Sequence, residues 1–210
     1  MTLAEGLAVL RAQGVLVDPA APARLDAFLD LLEKWNRTYN LTAIRERERM
    51  VTHHLLDSLV VLPYLGRGSA RLLDVGSGAG IPGIPLAIAM PALEATLLDS
   101  NHKKGTFMQQ AVAELGLSNV VVRVDRIETF GAEAAAQYDV VVSRAFSDLA
   151  TFAAAALPTL APGGRLLAMK GVMPHEELSA LPPGVALTAT HVLAVPGVDA
   201  ERHLVVLEAA

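Results

Sequence analysis

A glycine-rich turn is the stretch of this chain whose residue types and spacing are best suited to chemistry. Residues 71–75 form an apolar run that reads as a buried strand, and four glycines then fall within residues 76–83 before an apolar helix pattern resumes. Glycine has no Cβ, so such a turn can take positive φ and let a ligand touch bare backbone. A strand, a glycine turn and a helix start together offer free N–H groups to a nucleotide-like ligand.

The turn can be parsed in two ways that imply different cofactors. Residues 78–83 fit the dinucleotide fingerprint G-x-G-x-x-G, with Asp99 about 20 residues further on. Residues 74–80 instead place Asp74 at the end of the strand, ahead of three alternating glycines, which resembles motif I of the class I S-adenosylmethionine methyltransferases. A carboxylate there would repel a pyrophosphate and attract a cofactor with positive charge, so the second parse is favoured.

Further candidate site residues follow the strands beside this turn. Ligands bind at the carboxyl ends of parallel strands, so residues at these positions can line the same site. Asp99 ends the second strand and can accept hydrogen bonds from both ribose hydroxyls. Ile127 and Glu128 follow the third strand, where the adenine is expected. Arg144 follows the fourth strand, nearest to the expected site of methyl transfer, with Asp148 as a candidate ion-pair partner.

The elements that position these residues divide the chain into two parts. Residues 1–65 show helical spacing and predict an all-helical cap, with Asp18 as the N-cap of its second helix and one continuous helix over residues 46–62. Residues 66–210 alternate strands and helices and predict the cofactor-binding domain, with a mostly parallel sheet. The predicted strands are residues 71–75, 94–99, 120–124, 139–143 and 165–169, followed by a closing antiparallel hairpin of residues 186–195 and 202–208.

The composition excludes several kinds of chemistry. The chain has 210 residues, 52% of them hydrophobic, which is enough for one α/β domain with an appendage. It has no cysteine, so disulfides, thiolate metal sites and thiolate methylation of pyrimidine C5 are excluded, and no metal site is predicted. It shows neither a signal peptide nor an apolar run of about 18 residues, so we expect a cytosolic protein that does not span a membrane.

The charge distribution leaves nucleic-acid binding open. The net charge of −5 argues mildly against it, because phosphate contacts rest on Lys and Arg. However, nine of the 17 basic residues fall between Arg11 and Arg71, and a local basic face is compatible with RNA binding. The alternating Arg and Glu of residues 45–49 equally fit an ordinary solvated helix face.

The loop after the fourth strand limits which kind of atom can accept a methyl group. Enzymes that methylate an exocyclic amine resemble one another in an Asn/Asp-Pro-Pro-aromatic loop, whereas this chain has Ser143-Arg144-Ala145-Phe146. A ribose 2′-O-methyltransferase needs a Lys-Asp-Lys-Glu set, of which Lys170 and Glu208 could supply two members, but Ser143 replaces the acid. Guanine N7 already offers a lone pair, and transfer to it needs mainly alignment and electrostatics.

Beyond motif I, the chain resembles the small-subunit rRNA guanine-N7 methyltransferases, a family once called glucose-inhibited division protein B. The most specific matches are Gly80-Ile81-Pro82-Gly83-Ile84-Pro85 and His54-Leu55-Leu56-Asp57-Ser58-Leu59. Further matches are Trp35-Asn36, Asn40-Leu41-Thr42, Leu98-Asp99-Ser100, Ser143-Arg144-Ala145 and Met169-Lys170-Gly171. The resemblance implies a class I, Rossmann-like α/β methyltransferase fold with a seven-stranded sheet. It also implies S-adenosylmethionine as donor and a guanine N7 of 16S rRNA as acceptor, in rRNA or in a small ribosomal subunit or assembly intermediate.

The resemblance and the motifs together predict three groups of site residues in what we expect to be a monomer. The predicted cofactor contacts are Asp74, Gly76, Gly78, Gly80, Ile81, Asp99, Ser100, Asn101, Ile127, Glu128 and Arg144. The predicted catalytic residues are Arg144, His54, Ser143 and Lys170. The predicted RNA contacts are Asn40, Arg45, Arg47, Asp57, Ser58, Lys103 and Lys104. One departure is Gly105, which lies where the family tends to show a basic segment and is expected to weaken the helix start.

Three alternatives stay open at this point. His54 could be a buried structural histidine that locks the cap to the sheet through Asp57, rather than a reacting group. The chain could methylate a ribose 2′-hydroxyl, or bind S-adenosylmethionine as a regulator without catalysis. An NAD-dependent dehydrogenase is the third alternative, and the predicted closing hairpin argues against it.

Overall fold

The computed structural model describes residues 1–66, 70–144, 146 and 148–210. Residues 67–69 of the segment that joins the two predicted parts lie outside the described residues, as does Ala145 of the loop after the fourth strand. In the described ranges, no helix has the length and apolar character needed to cross a bilayer.

A seven-stranded sheet forms the centre of the molecule. Its strands are β1 (Arg71–Val75), β2 (Glu94–Asp99), β3 (Val120–Val124), β4 (Tyr138–Ser143), β5 (Leu160–Lys170), β6 (Val185–Val192) and β7 (His203–Ala209). Their order across the sheet is β3-β2-β1-β4-β5-β7-β6. Strands β1 to β5 are parallel, and β7 runs antiparallel to both β5 and β6, so the predicted sheet with its closing hairpin is confirmed. The chain reverses its direction of winding between β1 and β4, where ligands bind in sheets of this kind.

One strand begins earlier than predicted. Residues 160–164 lie ahead of the predicted strand of residues 165–169 but belong to β5, because Leu160 already pairs with Tyr138 before the register shifts and Arg165 pairs with Val140. The extra length lies at the amino end of β5, away from the carboxyl edge that carries the site.

The helices that cover the sheet lie between the strands, as the alternating pattern predicts. They are α5 (Gly83–Ala89), α6 (His102–Leu115), α7 (Ile127–Glu133) and α8 (Leu149–Ala156), with a 3-10 turn at Leu157–Thr159. A fifth helix, α9 (His175–Ser179), had no counterpart in the sequence analysis.

The N-terminal part begins with α1 (Leu3–Ala12) and α2 (Ala21–Tyr39). Thr2 and Glu5 form a capping box on α1. The predicted N-cap role of Asp18 is wrong, because α2 begins at Ala21 and Asp18 instead accepts a hydrogen bond from the Ala20 N–H at 2.8 Å.

The helix predicted over residues 46–62 is wound in three ways. It starts as α3 (Arg47–Met50), continues as a π-helix over Val51–Leu56, and ends as α4 (Asp57–Leu59), before a 3-10 turn at Leu62–Tyr64. Its apolar spacing still buries Val51, Leu55 and Leu59, so periodicity identified a helix but not its winding. Segments of π-helix occur often at functional sites.

The two faces of the sheet bury separate apolar clusters. On one face the helices of residues 1–65 pack with α5 and α6 against the sheet, and Trp35 meets Phe107 edge-on at 5.7 Å between ring centroids. On the other face α7 and α8 cover β1, β4 and β5, with Phe152 fully buried. The N-terminal helices therefore share a core with the sheet, and the domain boundary at residue 65 stays a prediction.

Gly105 has a packing reason that the sequence did not reveal. Asn101 caps α6 by accepting hydrogen bonds from the N–H groups of Lys103 and Lys104. A Cβ at Gly105 would overlap the side chain of Val124 on β3. The glycine therefore lets α6 approach the sheet closely, which offsets its weak helix propensity.

Candidate active site

Two cavities open at the carboxyl edge of the parallel strands. The first, of about 440 Å³, lies against the glycine turn and is lined by Gly76, Asp99, Ser100, Ile127, Glu128 and Phe146 among others; we call it the glycine-loop pocket. The second, of about 360 Å³, is lined by His53, His54, Asp57, Arg144, Lys170 and Arg202 among others; we call it the arginine pocket. A third cavity of about 640 Å³ lies at the opposite edge beside Arg71, away from the predicted site residues.

The glycine turn is held by the acid that ends β2. Gly76, Gly78 and Gly80 have φ of 72°, 60° and 76°, a region that favours glycine. The Gly78 N–H donates to Asp99 Oδ2 at 2.8 Å, and the Asn101 N–H donates to Asp99 Oδ1 at 2.8 Å. These two bonds fix a largely buried carboxylate at the wall of the pocket, where each oxygen keeps a second lone pair for a ligand.

The far wall combines an apolar side chain with a charged rim. Ile127 is buried at the start of α7, and Glu128 beside it is exposed. Lys104 also lines this pocket, with Nζ 3.8 Å from Asp99 Oδ2, so the structure places it here rather than on a separate RNA surface.

Several predicted cofactor contacts do not line this pocket. Gly80 and Ile81 are buried, and a Cβ at Gly80 would overlap the side chain of Ile84, so the structure corrects their role to packing of α5. Asn101 acts through its bonds to Asp99 and to the start of α6.

Asp74 lies fully buried beneath the turn. Its Oδ2 accepts a hydrogen bond from the Gly83 N–H at 2.8 Å, while Oδ1 has no hydrogen-bond partner among the described residues. Burial raises the pKa of Asp74 to about 7, against the lowering effect of the Gly83 N–H. A buried acceptor with spare bonding capacity below the turn favours a ligand with positive charge over a pyrophosphate.

Ser143 has a structural task. It is 2% exposed, and its hydroxyl donates to the Val75 carbonyl at 2.9 Å, which ties the end of β4 to the end of β1. The predicted catalytic role of Ser143 stays a prediction, and in this structure its donor is committed and its side chain lines neither pocket.

Arg144 binds the N-terminal helices rather than its own loop. Its Nη1 donates to the His53 carbonyl at 2.8 Å and lies 3.4 Å from Asp57 Oδ2. Asp148, the candidate partner from the sequence, instead caps α8 by accepting from the Thr151 N–H at 2.8 Å. The structure therefore places Arg144 in the arginine pocket rather than in the glycine-loop pocket.

A second guanidinium completes this pocket. Arg202, just before β7, donates from Nε to Asp57 Oδ1 at 2.9 Å. The structure thus pairs Asp57 with two arginines, and at 4% exposure its carboxylate cannot contact RNA without breaking both pairs. The predicted RNA contact of Asp57 stays a prediction that would require both ion pairs to open.

His54 is a neutral structural histidine in this pocket. Burial, with the nearby Arg144 charge second, lowers the pKa of His54 to about 4. Its Nδ1 lies 3.2 Å from the His53 carbonyl, which can only accept, so Nδ1 carries the proton and Nε2 accepts from the Thr42 hydroxyl at 2.9 Å. The histidine does lock the helices together, but through Thr42 and not through Asp57.

The opposite wall of the arginine pocket comes from β5 and β7. Lys170 donates from Nζ to Glu177 of α9 at 2.8 Å. His203 lies 2.7 Å from the Gly171 carbonyl through Nδ1, which leaves Nε2 as an acceptor. The predicted catalytic role of Lys170 stays a prediction, with its charge paired in this structure.

The predicted RNA contacts separate into exposed and committed residues. Asn40, Arg45 and Lys103 are exposed, and Arg45 donates to Asn40 at 2.9 Å. Arg47 is held by Asp26, Asp30 and Glu33 at 3.1, 2.7 and 3.3 Å, which leaves it poorly placed to bind phosphate. The predicted RNA contact of Ser58 stays a prediction, and in this structure Ser58 is fully buried and its hydroxyl donates to the His54 carbonyl.

Sequence reasoning missed several residues that line the two pockets. Arg202 lies just before β7 and His203 begins it, while His53 comes from the π-helix and Phe146 from the loop after β4. The only local signal was the pair Arg202-His203 at the start of the last predicted strand. No cluster of three or more metal-ligating side chains occurs within the described part of the chain.

The fold is shared with solved methyltransferases. A methyltransferase of Aquifex aeolicus described as SAM dependent superposes with a TM-score of 0.59 at 18% identity, over 80% of this chain and 96% of that one. TrmN from Thermus thermophilus gives a TM-score of 0.58 at 22% identity, over 76% of this chain and 53% of that one. The architecture is that of the class I methyltransferase fold.

The particular family is shown by closer relatives. Residues 22–205 match the family model GidB, described as rRNA small subunit methyltransferase G. Ribosomal RNA small subunit methyltransferase G of Aromatoleum aromaticum is 53% identical over 99% of this chain and 97% of its own length. The protein of the same name from Chromobacterium violaceum is 53% identical over 97% and 94%. This chain belongs to the rRNA small subunit methyltransferase G family, and the resemblance seen in its motifs is confirmed.

Proposed function

We propose that this protein transfers a methyl group from S-adenosylmethionine to N7 of a guanine in 16S rRNA. The observation that carries the proposal is the position of the two pockets at one sheet edge. A pocket suited to the cofactor lies at the ends of β1 to β3, and a pocket with two guanidiniums lies beside it at the ends of β4, β5 and β7. The names of the relatives support small-subunit rRNA as the substrate class.

The glycine-loop pocket fits the cofactor on its own chemistry. S-adenosylmethionine supplies, when bound, an electrophilic methyl group on a sulfonium. Asp99 offers acceptor lone pairs for the ribose hydroxyls, Ile127 an apolar surface for the adenine, and Glu128 an acceptor for its exocyclic amine. Gly76 exposes backbone where a Cβ would meet nothing within 4 Å. The unpaired Oδ1 of buried Asp74 favours positive charge at the turn.

The arginine pocket supports an acceptor that needs positioning rather than deprotonation. Guanidinium N–H groups can donate to guanine O6 or to a phosphate. Asp57, its one carboxylate-bearing lining residue, is held by Arg144 and Arg202. A lone pair at N7 can attack without a base, so alignment and electrostatics suffice. Ribose 2′-O-methylation is not favoured, because buried Ser143 stands where an acid is needed.

The proposal extends to partners. We propose that Asn40, Arg45 and Lys103 contact rRNA phosphates, since all three are exposed. We also propose that the protein acts in the cytoplasm as a monomer, on rRNA or within a small ribosomal subunit or assembly intermediate. Residues 1–65 would then form the face toward the RNA.

The experiment combines labelled S-adenosylmethionine with small ribosomal subunits that lack the modification, followed by borohydride–aniline cleavage to map N7-methylguanine. A single cleaved guanine in 16S rRNA is the expected result. Label in a ribose or in an exocyclic amine would contradict the N7 assignment. Cofactor binding without transfer to any rRNA would support the non-catalytic alternative instead.

A further inference from the structure

One carboxylate joins three distant segments at the arginine pocket. Asp57 begins α4, directly after the π-helix, while Arg144 follows β4 and Arg202 precedes β7. The two arginines lie 87 and 145 residues from Asp57 along the chain. Asp57 bonds them through different oxygens, Oδ2 and Oδ1.

Each guanidinium has a second anchor on the backbone. Arg144 Nη1 also donates to the His53 carbonyl at 2.8 Å, and Arg202 Nη1 donates to the Glu201 carbonyl at 2.8 Å. The arginine side chains remain 27% and 23% exposed. Both arginine side chains line the arginine pocket.

The charge balance makes Asp57 the group on which this pairing depends. Arg144 and Arg202 repel each other when brought to one place, and a shared carboxylate offsets that repulsion with charge-assisted hydrogen bonds. Glu177 cannot replace it, because it pairs with Lys170 and accepts from the Leu149 N–H at 2.7 Å. His54 is neutral, since burial lowers its pKa to about 4.

We propose that Asp57 is a positioning residue for methyl transfer. Its negative charge holds Arg144 and Arg202 as a pair whose exposed N–H groups face the acceptor guanosine nucleotide. The inference rests on the proposed function, because the nucleotide is the acceptor assigned there. It gives Asp57 a role without direct contact to RNA or cofactor.

The test compares Asp57→Asn, which keeps the shape of the side chain and removes its charge, with Asp57→Glu, which keeps the charge. For unmodified small ribosomal subunits, we expect Asp57→Asn to lower kcat/KM about 10- to 100-fold, as loss of charge-assisted bonds in a site does. Asp57→Glu is expected to recover part of that loss, and the Kd for S-adenosylmethionine is expected to change less than about twofold in both. Asp139→Asn is the matched control, because it removes the carboxylate of the exposed Arg71 pair at the opposite edge.

A double-mutant cycle with Arg202→Gln separates positioning from general destabilisation. If Asp57 acts through Arg202, Arg202→Gln lowers kcat/KM only slightly in a protein that already carries Asp57→Asn. Should Asp57→Asn not fold, the cycle is run with Asp57→Glu, and strict additivity with Arg202→Gln overturns the inference. Full activity of folded Asp57→Asn overturns it as well. A wild-type protein that binds cofactor and methylates no rRNA would overturn the proposed function, and the inference with it.

Discussion

The two pockets at the carboxyl edge of the sheet are built in opposite ways. The glycine-loop pocket is assembled mainly from the ends of three neighbouring strands, β1 to β3, and the residues that follow them, with Phe146 added from the loop after β4. The arginine pocket takes residues from the π-helix, from the ends of β4 and β5 and from the start of β7. The first site is therefore encoded in local sequence, and the second exists only when distant segments meet.

The two pockets also differ in charge. Three acidic and two basic side chains line the glycine-loop pocket, whereas three basic and one acidic line the arginine pocket. A cationic cofactor and an anionic RNA suit these opposite balances. A substitution in one pocket should therefore affect one ligand and spare the other.

The largest effect is expected from Arg144→Ala, which tests whether the two pockets bind different ligands. Because Arg144 lies in the arginine pocket, we expect kcat/KM for rRNA to fall about 100- to 1,000-fold, as after loss of a positioned charge. The Kd for S-adenosylmethionine, measured by calorimetry, should stay within about threefold. Arg71→Ala, at the opposite edge of the sheet, is the control. An equal loss of cofactor affinity would contradict the division between the pockets.

Two buried groups near the pockets, His54 and Asp74, should make the free energy of unfolding depend on pH in opposite directions. The pKa of His54 is lowered by burial from 6.5 to about 4, so its contribution to the free energy of unfolding is full above pH 6.5 and is lost as pH falls towards 4. Burial raises the pKa of Asp74 from 3.8 to about 7, so its contribution is full below pH 3.8 and is lost as pH rises towards 7. The full shifts correspond to about 3 kcal/mol for His54 and about 4 kcal/mol for Asp74.

Denaturant unfolding from pH 4 to pH 7 measures both effects. Against wild type, His54→Gln should remove the gain in stability as pH rises over this range. Asp74→Asn should remove the loss of stability that the ionisation of Asp74 causes as pH rises over the same range. Parallel profiles for wild type and both variants would show that neither group titrates as described.

A smaller effect is expected from Asp99→Ala in the glycine-loop pocket. The substitution removes the acceptor for the ribose hydroxyls and frees the N–H groups of Gly78 and Asn101. We expect the Kd for S-adenosylmethionine to rise about 10- to 30-fold, with the Kd for rRNA unchanged. Turnover at saturating cofactor should largely recover. A rate that stays low at saturation would place Asp99 in the transfer step itself.

The smallest expected effect separates two neighbouring arginines. Arg45→Gln should weaken rRNA binding about threefold and reduce the dependence of the logarithm of affinity on the logarithm of salt by about one, as loss of one phosphate contact does. Arg47→Gln should leave that slope unchanged, because Arg47 is held by three carboxylates. Filter binding between low and moderate salt distinguishes them. The same salt dependence of rRNA affinity in both variants would show that Arg45 makes no phosphate contact.

The sequence predicted what depends on local pattern. The bounds of β1, β2 and β3 and the position of Asp99 follow from apolar runs and from the rule that ligands meet strand ends. The hydrogen bond of Ser143 could not be predicted, because the polarity of a residue does not reveal that its hydroxyl ties two strands together. The pairing of Asp57 with Arg202 could not be predicted, because no local pattern links residues 145 positions apart.

The π-helix at Val51–Leu56 has a consequence for how this chain can vary in length. An α-helix turns about 100° per residue, so one residue gained or lost changes the rotational phase of everything beyond it by that angle. Deletion of one residue with the rest of the π winding kept would turn Asp57 away from both arginines, whereas a return to α winding over the shortened segment would largely compensate for the lost residue. The winding of this segment and its number of residues are therefore coupled, because together they set the direction in which Asp57 points.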